Sequence, residues 1–226
     1  MFLFLLPPSE GKQTWWSNDP ESTLISCKKP YDIAKNATEK DLKCTWSRYK
    51  EWIELNTLIS QSSTLPAIER YTWVMFKALD YVWLSEDWKT YADTHICILS
   101  GMYGLVQPQS RIWNYKLPIW TIGLYEYWKE QSFTRKLVEY SIEKEATIID
   151  LLPWSYKKML DKNLIAKHAI PYIEVTFYHN KDGNIKKLTH GVKKVKWAWL
   201  HTICEKHAKH IQELWSVKDN KISILV

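Results

Sequence analysis

The chain alternates short apolar runs with longer stretches whose apolar residues recur at helical spacing. Phe2–Leu6 is a continuous apolar run, the pattern of a strand covered on both faces. It meets Pro7-Pro8, and residues 7–20, with Pro, Ser, Gly and Asn among them, read as a long loop. Helical spacing over 39–60 predicts one helix. Leu65-Pro66 opens a second, with Pro66 suited to its first turn and Ile68, Tyr71, Met75, Ala78 and Leu79 on one face. Residues 95–99 predict another buried strand that turns out of the sheet at Ser100-Gly101, 123–145 a long amphipathic helix, and 147–151 a further strand. Residues 173–178 and 184–188 flank Lys181-Asp182-Gly183, a hairpin signal because Asp-Gly supplies the positive φ angles of a tight turn. A last helix over 192–215 places Val192, Val195, Trp199 and Ile203 on one face, and 221–226 closes as a paired strand. With no repeat and no low-complexity linker, the alternation argues for an α/β or α+β architecture.

Length and charge narrow the picture. At 226 residues a single domain over 1–226 is the expectation. Apolar residues make up 46% and charged residues 25%, which excludes global disorder. The opening run is too short for a bilayer span or a signal core, has no basic residues before it and ends in prolines, so a cytoplasmic protein without a membrane partner is expected. Cys27, Cys44, Cys97 and Cys204 are scattered, the pattern of buried free thiols and not of a disulfide framework or zinc ribbon. A net charge of +6 favours anionic partners such as nucleic acid, nucleotides or phosphates.

Two Gly-bearing turns at strand ends are the candidate chemistry, because ligands of open α/β sheets gather there. Ser9-Glu10-Gly11-Lys12 sets a hydroxyl, a carboxylate, a permissive glycine and an ammonium just past the first strand; it is not a P-loop, which needs G-x-x-x-x-G-K-[ST]. Ser100-Gly101-Met102-Tyr103-Gly104 reads equally as an anion-binding nest of backbone N–H groups or as a tight turn that needs two glycines. Arg111, Tyr115 and Lys116 follow, and Lys186, Lys187, Lys193, Lys194 and Lys196 form the densest basic cluster, either an anion site or a solvated face. His201, Cys204, His207 and His210 recur every three residues. On a helix that step drifts by about 60° per repeat, so the four do not converge on one tetrahedral ion and no metal or other cofactor is expected. No Ser-His-Asp order, H-E-x-x-H, G-x-G-x-x-G or carboxylate pair names a reaction.

Several separate motifs in order resemble the YaaA peroxide-stress protein family, in its L-P-P-S-E-G-K branch. They lie at 6–12, 65–80, 100–117, 124–128, 149–156 and 189–196 and cover most of the chain. Ser9, Glu10, Gly11 and Lys12 match the first motif; Tyr71 matches the tyrosine of E-R-Y-T; Ser100, Gly101, Tyr103, Gly104, Pro108, Arg111, Tyr115 and Leu117 match the second; Lys193 and Lys196 match late basic positions. Lys116 stands where the family usually has arginine, a better bidentate phosphate partner. Gln107, Ser110 and Leu152-Pro153 depart from the usual arginine, aspartate and polar pair.

The resemblance implies a single α/β domain, a mixed β-sheet flanked by helices, with a helix-hairpin-helix-like element and a basic cleft. It also implies double-stranded DNA binding and a role in limiting free iron and oxidative DNA damage. In that reading Lys12, Arg111, Lys116, Lys193 and Lys196 contact phosphates, while Tyr103 and Tyr115 shape the cleft or stack in it. The rival expectation is an enzyme acting on a nucleotide or modified base, held between the 9–12 and 100–104 loops, with Tyr103 or a lysine as acid-base group. A third, an iron binder through His and Cys, ranks last.

The composition is odd in one respect: 14 Trp against only 6 Gly, where average Gly usage is about 7%. Trp15, Trp16, Trp73, Trp154 and Trp197 all fall where the resembled family tends to have glycine. The expectation is a gene in which UGA encodes glycine, so that indoles replace glycines at turns needing φ > 0 or close backbone approach.

Overall fold

The computed structural model describes residues 1–14, 28–61, 63–72, 74–131, 133–181, 183–188, 191–206, 217–218 and 221–225. In chain order the elements are β1 (Phe2–Leu6), α1 (Lys28–Asn36), α2 (Glu39–Leu42), α3 (Trp46–Thr57), β2 (Leu65–Pro66), α4 (Ala67–Arg70), α5 (Val74–Leu79), α6 (Glu86–His95), β3 (Ile96–Ser100), β4 (Gly104–Val106), β5 (Arg111–Ile112), α7 (Leu124–Glu130), α8 (Phe133–Glu143), β6 (Thr147–Asp150), α9 (Trp154–Lys157), α10 (Lys162–Lys167), β7 (Tyr172–Lys181), β8 (Asn184–Lys187), α11 (Val192–Lys206), β9 (Val217–Lys218) and β10 (Lys221–Leu225).

A mixed α/β architecture results. The main sheet runs β4-β3-β1-β6-β7-β10-β9, with β8 paired to β7, while β2 and β5 form a separate pair. β1 lies between two parallel neighbours, Leu5 opposite Cys97 of β3 on one side and Asp150 of β6 on the other. That placement accounts for its unbroken apolar run, since Leu3, Phe4, Leu5 and Leu6 are all buried. The chain leaves β1 for β3 on one flank and later crosses to β6 on the other, so the order reverses at β1. Beyond the carboxyl ends of β1 and β6 is therefore the place where such a sheet leaves a crevice. α11 covers the β1–β7 face through Trp199, whose ring meets Phe4 and Phe177 edge-on at 6.2 and 6.1 Å.

The strand and hairpin expectations at β1, β3, β6, β7–β8 and β10 agree with the structure to within one or two residues, apart from a longer β7. The long helices are corrected. The helix expected over 39–60 is two: Thr38 and Asp41 form a capping box, and Lys43 in the left-handed region ends α2 before Trp46 restarts the chain as α3. The helix expected after Pro66 stops at Tyr71, which is extended, so Tyr71 leaves the stripe that was drawn through it. The helix expected over 123–145 is split into α7 and α8. Of the last expected helix, 207–215 lie outside the described residues.

Among the described residues no helix is long and apolar enough to cross a membrane. Cys97 is buried, and burial pushes its thiol up to about 12; Cys44 is only half-buried, against the expectation for it. Cys27 and the side chain of Cys204 lie outside the described residues.

Candidate functional site

The 9–12 loop leaves β1 and folds back on the start of the second motif. Lys12 forms an antiparallel bridge with Tyr71, flanked by hydrogen bonds from Gln13 N–H to Arg70 O (2.8 Å) and from Thr72 N–H to Gly11 O (2.9 Å). The buried Ser9 hydroxyl donates to Thr72 O. These backbone contacts fix where the Lys12 side chain starts. Its ammonium donates to Ser9 O at 3.0 Å and sits 4.0 Å from the centre of the Tyr115 ring and 5.3 Å from that of Tyr71. Burial, and next the Lys116 charge, hold the Lys12 amine well below its ordinary range, with Glu10 opposing.

Behind Lys12, three buried hydroxyls close together the ends of β1 and β3. Ser100 Oγ accepts from the N–H groups of Met102 and Tyr103, each at 3.1 Å. With both lone pairs taken, its own proton is left for Tyr115 Oη at 2.7 Å, and Tyr115 Oη meets Tyr71 Oη at 2.7 Å. Burial pushes Tyr71 up to about 12 and Tyr115 well above the ordinary phenol range, so both remain neutral hydroxyls. The two N–H groups that would have formed an anion nest are satisfied by Ser100, and the 100–104 segment acts as the tight turn. A Cβ on Gly101 would lie 2.8 Å from Leu117 O, and Gly104 has φ +75° with the Trp128 ring 2.8 Å from where its Cβ would be.

In front of Lys12 opens a cavity of about 370 Å³, lined by Pro7, Pro8, Ser9, Glu10, Lys12, Trp52, Tyr115, Lys116, Leu117, Pro118, Trp120, Pro153, Ser155 and Tyr156. Its walls are the segments after β1 and β6, the place that the strand order marks. Lys116 reaches it because the buried Asn56 clamps its backbone: Asn56 Oδ1 accepts from Lys116 N–H at 2.8 Å, and Nδ2 donates to Lys116 O at 2.7 Å and to Ala34 O at 3.0 Å. The Lys116 ammonium donates to the Glu10 carbonyl at 2.9 Å and lies 5.9 Å from the Trp52 ring. Burial lowers its pKa too. Among the described residues neither Lys12 nor Lys116 has a carboxylate within ion-pair distance. Two cations thus line one cavity without a direct ion pair among the described residues, and Glu10 on the same wall offsets them only in part.

The remaining candidates lie elsewhere. Arg111 Nε and Nη2 donate to Thr64 Oγ1 and O at 2.9 and 3.0 Å, and Tyr103 is buried with its hydroxyl accepting from Trp113 N–H at 2.9 Å. Neither lines the cavity. Lys196 donates to Leu151 O at 2.7 Å beyond the end of β6, where burial holds it down to about 8. The backbone of Lys193 is in α11, and its side chain lies outside the described residues. His201 packs edge-on to Trp88 and faces Leu79 O; His207 and His210 lie outside the described residues. Trp154 is helical and two-thirds exposed, and the backbone of Trp197 is helical in α11, so neither has the positive φ expected of a glycine turn; Trp15, Trp16 and Trp73 lie outside the described residues.

Comparison with known proteins identifies a family. The family model described as "Peroxide stress protein YaaA" matches residues 2–223. The chain belongs to the YaaA peroxide stress protein family. Relatives include a UPF0246 protein of Aliivibrio fischeri (strain MJ11), 26% identical over 223 residues, covering 93% of this chain and 83% of the relative. A UPF0246 protein of Marinomonas sp. (strain MWYL1) is 27% identical over 208 residues, covering 87% and 77%. One from Clostridioides difficile (strain 630) is 29% identical over 156 residues, covering 66% and 60%. In this YaaA-family member the sequence reading missed Asn56, Trp52, Trp120, Ser155 and Tyr156 at the site. Asn56 carries no sequence signal, because its role is a contact made across 60 residues of chain.

Proposed function

We propose that the cavity binds a nucleotide or a modified base, in the cytoplasm and within the peroxide-stress setting of the family. The observation that carries this reading is the pair Lys12 and Lys116, both drawn partly out of water, both lining the cavity and neither within ion-pair distance of a carboxylate among the described residues. Buried cations without partners are costly, and an anionic group seated between them offsets that cost. The planar part of such a ligand has Trp120 and Trp52 to stack on, and the volume lies in the range of small-molecule sites. Glu10 and Lys12 supply the carboxylate and amine for acid–base work.

Duplex DNA is the second reading, favoured by the exposed Lys186, Lys187 and Lys194 around the β7–β8 hairpin and the start of α11. Limiting free iron and oxidative DNA damage is the role we attach to it. One experiment separates the two. Tryptophan fluorescence is titrated with adenosine monophosphate, and anisotropy of a labelled duplex of about 20 base pairs is followed at roughly 50 and 200 mM salt. The pocket reading expects saturable quenching that Lys12→Ala weakens about tenfold or more, the worth of one charge-assisted hydrogen bond. No quenching, together with duplex binding lost in a Lys186→Ala/Lys187→Ala/Lys194→Ala variant, overturns it in favour of DNA.

A further inference from the structure

Resting on the reading of the cavity as an anionic-ligand site, we propose that Lys12 is its amine nucleophile and that the ligand carries an aldehyde or ketone, held as an imine on Lys12 Nζ. The nucleophilic groups of the cavity are not equivalent. The Ser9 hydroxyl is spent on Thr72 O, and the Tyr115 hydroxyl is turned away into the Ser100–Tyr71 cluster. Lys12, which lines the cavity, has its reactive atom held by one acceptor, Ser9 O, and covered by the faces of two rings.

The two lysines also divide the work. Lys116 lies toward Trp52 with its ammonium on the Glu10 carbonyl, a position for holding an anionic group. Lys12 is bridged to Tyr71 along its backbone, and Ser9 O and the two rings hold its amine. The charged and titratable groups facing it are Lys116, Arg70 and Glu10, with the neutral phenols of Tyr71 and Tyr115; burial and the two cations disfavour its ammonium, while Glu10, Ser9 O and the two ring faces favour it, and the balance lies with burial. A neutral amine is what attack on a carbonyl requires.

The step is balanced without a further reagent. Neutral Nζ attacks the carbonyl carbon and the C=O electron pair moves to oxygen, which takes a proton. The nitrogen lone pair of that carbinolamine then expels the oxygen as water. The hydroxyl takes its second proton as it leaves, and the protonated imine so formed gives up its remaining N–H proton, so that both protons of the neutral amine end on the water; Glu10, the carboxylate lining the cavity, is the carrier we assign.

Glyoxylate, a small anionic aldehyde, is the probe. The full chain is incubated with glyoxylate and cyanoborohydride near pH 8, and reduced adducts are located by intact and peptide mass spectrometry. The expected result is a single fast adduct on Lys12, formed about tenfold faster than on the exposed Lys186 and Lys187, slowed by adenosine monophosphate and absent in folded Lys12→Met. Labelling of Lys12 no faster than of the exposed lysines, while adenosine monophosphate still quenches tryptophan fluorescence, overturns the imine and leaves the cavity reading standing. Failure of both overturns the two together.

Discussion

Two lysine-bearing regions lie side by side beyond the carboxyl end of β6, and they are wired in opposite ways. In one, Asp150, fully buried, accepts from Leu152 N–H at 2.8 Å and Tyr172 Oη at 2.5 Å and pairs with Lys157 Nζ at 2.6 Å. Glu174 extends the network, pairing with Lys157 at 3.4 Å and with Lys162. In the other, Lys12 and Lys116 face the cavity with carbonyls and aromatic rings for neighbours and no carboxylate within ion-pair distance among the described residues. The first arrangement completes itself and holds α9, and with it Ser155 and Tyr156, against the sheet. The second leaves two cations without an ion pair, which is the gap that the proposed anionic ligand would fill. A charge that the fold satisfies is structure, and a charge that the fold leaves unsatisfied in a cavity marks a binding site.

Breaking the self-contained network gives the largest effect. Asp150→Asn removes the charge of a fully buried carboxylate and leaves Lys157 with Glu174 alone. The expected loss is about 3 kcal/mol, or a fall in Tm of about 6–12 °C by thermal unfolding. Unchanged Tm would mean that Lys157 is repaired by Glu174 and that the network is not the brace of α9.

The same logic reverses sign at the cavity. Lys12→Met removes an unpaired, desolvated cation and is expected to raise Tm by about 2–4 °C near neutral pH, equivalent to about 1 kcal/mol, while weakening nucleotide binding. The sign with pH follows from linkage. The folded pKa of Lys12 lies below its unfolded value of about 10.4, so between the two the unfolded chain holds more protons and stability rises with pH. The advantage of Lys12→Met therefore shrinks through the alkaline range and is gone above about pH 10.4. A lower Tm for the variant at neutral pH would show that Lys12 is paid for within the fold.

The smallest effect is expected at Trp154, two-thirds exposed on α9 with the Lys158 ammonium 3.7 Å from its ring centre. Trp154→Gly is expected to change stability by about 1 kcal/mol or less, the ordinary helix cost of glycine, in urea unfolding. UGG codons at Trp15, Trp16, Trp73, Trp154 and Trp197 would remove the reason to expect glycine there at all.

The strands were legible because β1, β3 and β6 are buried on both faces and so read as unbroken apolar runs. The helices were overdrawn because their breaks depend on local geometry that spacing does not register: the left-handed Lys43, the extended Tyr71 that bridges to Lys12. At the site, Ser9, Glu10, Lys12, Tyr115 and Lys116 were visible as residues near strand ends, and the cavity gathers all five. Arg111, Tyr103 and Lys196 were equally attractive by type and lie elsewhere, because a sequence shows that a polar group is present and not which backbone group it already serves. Asn56 was invisible for the converse reason. Its work, holding the Lys116 backbone across 60 residues of chain, exists only once the two segments meet.

The most direct test of the central claim is calorimetric titration of adenosine monophosphate near pH 9, in buffers of different ionisation enthalpy. If Lys12 and Lys116 lack a counter-ion in the free protein, the arriving phosphate raises their pKa values. Binding then takes up protons, and the measured enthalpy depends on the buffer. Binding with no proton uptake, or no binding at all, would contradict the account.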